Sequence, residues 1–166
     1  MGFESFRVEL RGGQATHRDA DEVVRQFPGA RPDSGSLPTK GSTDYLIGDG
    51  RQVIEVEVMD DPVKVSCRFT LCHPTSVDVA FLGVLRELMA RPGMGAMICD
   101  DVPPAHARPF TLAEFSDFAV IVRNHIDVRR AEWVAAFGTE TLAATMNEVH
   151  ERMILPRCQP VVEQSI

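Results

Sequence analysis

Residues 64 to 78 read KVSCRFTLCHPTSVD, which brings Cys67, Cys72 and His73 together with the hydroxyls of Thr75 and Ser76. Such a set could hold a metal or work through a thiol. A zinc site needs ligands converging on one point, with sulfur at about 2.3 Å. The run VSCRFTL alternates as a half-buried strand does, so Cys67 joins Val65, Phe69 and Leu71 while Cys72 joins Ser66, Arg68 and Thr70. The two thiols therefore face opposite ways, and neither a disulfide nor a zinc ion is expected between them. Cys67 reads as a small core residue, Cys99 within AMIC reads the same way, and Cys158 reads as an exposed bystander. HPTS is the strand's exit and the cap of the next helix.

A second set of candidates depends on topology. If strand 63–71 and the apolar run 95–100 lie parallel in one sheet, joined by a right-handed crossover, His73 and Asp100 sit at the same carboxyl end. The Asp49–Gly50 hairpin falls at that end too. Carboxylates with imidazoles suit acid–base chemistry, here His73, Asp100 and Asp101, or a hard divalent metal, here Asp49, His73, Asp100 and His106. The competing reading is that these residues serve turns, capping and solvation, as polar residues at strand ends commonly do. His17, His125 and His150 read as surface or packed histidines. Arg123, Arg129 and Arg130, with Asp127 and Glu132, read as a solvated, salt-bridged helix face. The sequence contains no Gly-rich phosphate loop, G-x-S-x-G, H-E-x-x-H or paired C-x-x-C.

The elements that would position these residues follow from periodicity. SFRVELR alternates as a strand, THRDADEVVRQF is a short helix capped by Thr16 or Asp19, and 30–42 is a Pro, Gly and Ser rich loop expected to be flexible. Strands over 43–48, 51–58 and 63–71 form an antiparallel meander. Thr75 with Asp78 fits a capping box opening a helix to Arg91, and GAMICDD suggests a central strand covered on both sides. A long helix from 111 to 137, bent or broken near 124–128, precedes a final helix over about 140–154 and a loose tail over 157–166. The expected fold is α+β in a single domain, 1–166. Its mixed sheet would combine the N-terminal strand, the meander and a βαβ crossover, packed with helices that include two at the C-terminus.

Composition bounds the function. The net charge of −7, from 17 Lys plus Arg against 24 Asp plus Glu, disfavours nucleic acid and favours a protein partner with a basic surface. No apolar stretch approaches the length of a membrane span, and no export signal is recognisable, so a cytoplasmic location with reduced thiols is expected. The resulting expectation is a small acidic binding protein, of inhibitor, immunity or complex-subunit type, with no cofactor. Asp60, Asp61, Asp100 and Asp101 would make its contacts, and self-association could run through the C-terminal helices. The alternative is a metal-assisted hydrolase built on the strand-end cluster.

Overall fold

The computed structural model describes residues 5–35, 40–48, 52–60, 62–71, 73 and 75–138. Along the chain run β1 (Ser5–Arg11), α1 (His17–Arg25), β2 (Ala30–Pro32), β3 (Ser42–Gly48), β4 (Val53–Met59), β5 (Lys64–Thr70), α2 (Ser76–Ala90), β6 (Gly95–Ile98), a 3-10 turn (Leu112–Glu114) and α3 (Phe115–Phe137). The six strands form one sheet in the order β2-β3-β4-β5-β1-β6, with every neighbouring pair antiparallel. Helices pack on one face, and the fold is α+β.

Period-two patterning decides which face is covered. Phe6, Val8 and Leu10 of β1, Ile54, Val56 and Val58 of β4, and Val65, Cys67 and Phe69 of β5 are all buried beneath the helices. α1 lies on β4 and α2, while α2 crosses β1, β4, β5 and β6 and carries α3 at its side. The rings of Phe6, Phe69 and Phe81 meet one another at 4.9 to 6.0 Å between centroids, which joins two central strands to α2. Within the stretch expected to be a loop, Ala30–Pro32 pairs with β3 as an edge strand, where proline's missing N–H does least harm.

The expected mixed sheet and direct βαβ unit require correction. β5 and β6 do point the same way, but β1 lies between them and pairs with both, from Val8 to Cys67 on one side and to Ile98 on the other. Inserting β1 lets every ladder be antiparallel, the slightly stronger pairing per residue. Among the described strands it also leaves β6 at the edge rather than central. Its outer side is bridged once, by reciprocal bonds between Ala96 and Phe110 at 2.9 and 2.7 Å.

The helix starts follow local chemistry. Thr16 and Asp19 form a reciprocal capping box at α1, and Thr111 and Glu114 form another ahead of α3, with Arg108 on Glu114 at 2.7 Å. At α2 the expected box is absent, because the Asp78 carboxylate is bound elsewhere, to Arg130. α3 runs unbroken through 124–128 for 23 residues, about 35 Å. Its buried stripe of Phe118, Val122 and Ile126 continues in register to Trp133 and Phe137, whose rings meet at a tilt with centroids 5.2 Å apart, yet Phe137 is 51% exposed. The helix is thus longer than the core it covers. The expected final helix over 140–154 and the tail lie outside the described residues.

Candidate functional site

Consider first the strand-end cluster. His73 is 4% exposed and its Nε2 accepts the Val53 N–H at 3.4 Å, which ties the exit of β5 to the start of β4. Arg130 of α3 grips the same corner. Its guanidinium donates to both Asp78 oxygens at 2.6 and 2.8 Å, to the Leu71 carbonyl at 3.1 Å and to the His73 carbonyl at 3.2 Å. One residue earlier, Arg129 binds the Asp100 carboxylate and the Ser5 carbonyl, while His125 Nε2 lies 3.4 Å from Asp100. His73 and Asp100 therefore share one end of the sheet, as the topology implied. Each is engaged by a different arginine of α3, so these groups tie a helix to strand ends.

The other candidates are scattered. Asp101 is exposed, and His106 is partly buried in a turn closed by its N–H to the Pro103 carbonyl at 2.8 Å. Asp60 is exposed at the β4–β5 turn, the opposite end of the sheet from Asp100, and seven-residue strands put about 23 Å between the two ends. Asp60 and the Asp100–Asp101 pair thus belong to two separate places. Asp49 and Asp61 lie outside the described residues. Among the described residues no three His, Cys, Asp or Glu side chains form a group able to hold a metal, and His73, Asp100 and His106 do not converge. The reading of the α3 arginines is also corrected: Arg129 pairs with Asp100 and Arg130 with Asp78, both outside their own helix.

The thiols behave as their faces dictate. Cys67 is fully buried among the helix-side residues, and burial pushes its pKa well up, so the reactive thiolate is suppressed. Cys99 stands half-buried, also raised by burial, with Arg7 pulling the other way. Cys72 and Cys158 lie outside the described residues.

What the sequence reading did not assemble is the face of the sheet turned away from the described helices, where Leu46 and Glu9 are buried and Arg7 and Arg68 are exposed. Cross-strand register builds it in rows: Leu46, Glu55, Arg68 and Arg7 in one, and Asp44, Glu57, Ser66 and Glu9 in the next. A shallow depression of about 230 Å³ opens there, lined by Asp33, Asp44, Glu55, Glu57, Arg7 and Arg68 among others. Arg68 is paired with Glu55, and Glu9 is held between Arg11 and Lys64. Asp44 and Glu57 stand directly opposite each other on adjacent strands, a like-charge pair with no cation in ion-pair range among the described residues. Arg7 and Arg68 are likewise opposite, and only Arg68 meets a carboxylate. Alternation in RQVIEVEV and SFRVELR had marked these side chains as outward, but only the register brings them into rows.

Among the described residues no helix is long and apolar enough to cross a membrane. No family model matches the chain, and neither the curated proteins nor the solved structures yield a match.

Proposed function

We propose that this protein acts by binding another protein, one with a basic surface, through the acidic depression on the sheet face turned away from the described helices. The observation that carries this reading is the Asp44–Glu57 pair: two carboxylates held opposite each other, unanswered within the described chain, in a depression with two further acids. Like charges directly opposite across strands destabilise a sheet, and a lysine or arginine from a partner relieves that repulsion. The chain's net charge of −7 adds long-range attraction for such a partner and raises its rate of encounter. Asp100, tied to Arg129, is a structural carboxylate in this reading, and the contacts move from the strand ends to the sheet face. A cytoplasmic location remains part of the proposal.

The test compares wild-type protein with Asp44→Lys/Glu57→Lys as bait in extract of the native host at low salt. A stoichiometric basic protein retained by wild type, released as salt rises and lost with the double variant, is the expected result. Equal retention by both baits would place binding elsewhere. A measured turnover abolished by Asp100→Ala, with folding intact, would replace binding by catalysis.

A further inference from the structure

We draw no further inference here: the strongest candidate, the outward apolar stripe of α3 that carries Val120 and Val128, belongs to a helix followed directly in the chain by residues outside the described ones, and nothing in the structure shows what covers it.

Discussion

Arg129 and Arg130 are consecutive on a helix, so about 100° of rotation separates their side chains and each can serve a different strand end. Arg130 makes the larger set of bonds, since its fork satisfies both oxygens of Asp78, which is 8% exposed, and two carbonyls at the exit of β5. Removing one partner of a well-buried, fully bonded pair leaves the other charge stranded, which costs far more than the pair's net contribution. Arg130→Ala should therefore lower stability by about 3 kcal/mol. Arg130→Lys should recover only part, because an ammonium cannot reproduce the planar two-pronged contact. Urea unfolding with unchanged slope measures both, and a loss below about 1 kcal/mol for the alanine variant would contradict this account. The sequence displays the two arginines and the two aspartates, but their pairing is not legible there. Asp78 stands three residues after Thr75, the capping-box spacing, and nothing local reveals that a helix more than fifty residues later claims it.

At the scale of elements, the patterns with strong periodicity were readable. The alternation of β1, β4 and β5, the Thr16–Asp19 cap and the stripe of α2 all appear in the fold as their residues suggested. β6 was read as central because four apolar residues in a row look alike in a buried strand and at an edge closed by one bridge. The insertion of β1 between β5 and β6 is a long-range choice that no window of sequence contains. The start of α3 offers an element-scale prediction. Arg108 and the Thr111 backbone and hydroxyl hold the Glu114 carboxyl at a pKa of about 2, below its ordinary 4.5. A depressed carboxyl pKa means stabilisation that is complete above the unfolded value and lost as pH falls through the folded one. Glu114→Gln retains a capping acceptor but loses the charge. The difference between wild type and this variant should be full above pH 4.5 and fade to nothing toward pH 2. Acid titration followed by helix ellipticity checks it, and a difference unchanged at pH 2 would assign the contribution to geometry rather than charge. Because this pair is exposed, added salt should shrink the effect as well.

For the molecule as a whole, the two faces of the sheet have opposite consequences for stability. The helix-covered face joins β1, β4, β5 and α2 in one apolar core, while the other face holds Asp44 against Glu57 and Arg7 against Arg68. A face arranged only for stability would alternate signs across its strands, and opposite-charge pairs would contribute roughly 0.2–1 kcal/mol each where these like pairs oppose folding. Asp44→Asn should therefore stabilise the isolated chain by a few tenths of a kcal/mol at low salt, with the gain shrinking as salt screens the original repulsion. Unfolding must be followed at concentrations where the chain is monomeric, since any association adds its own stabilisation. The same substitution should weaken capture of a basic partner, because one of the two carboxylates meeting the incoming cation is gone. A gain in stability joined to a loss in binding is the mark of a residue placed for recognition rather than for folding. Asp101→Asn, exposed beyond the end of β6, should change neither quantity appreciably. If Asp44→Asn instead destabilised the chain, its carboxylate would have a structural partner, and the sheet face would lose the charge argument that makes it a docking surface.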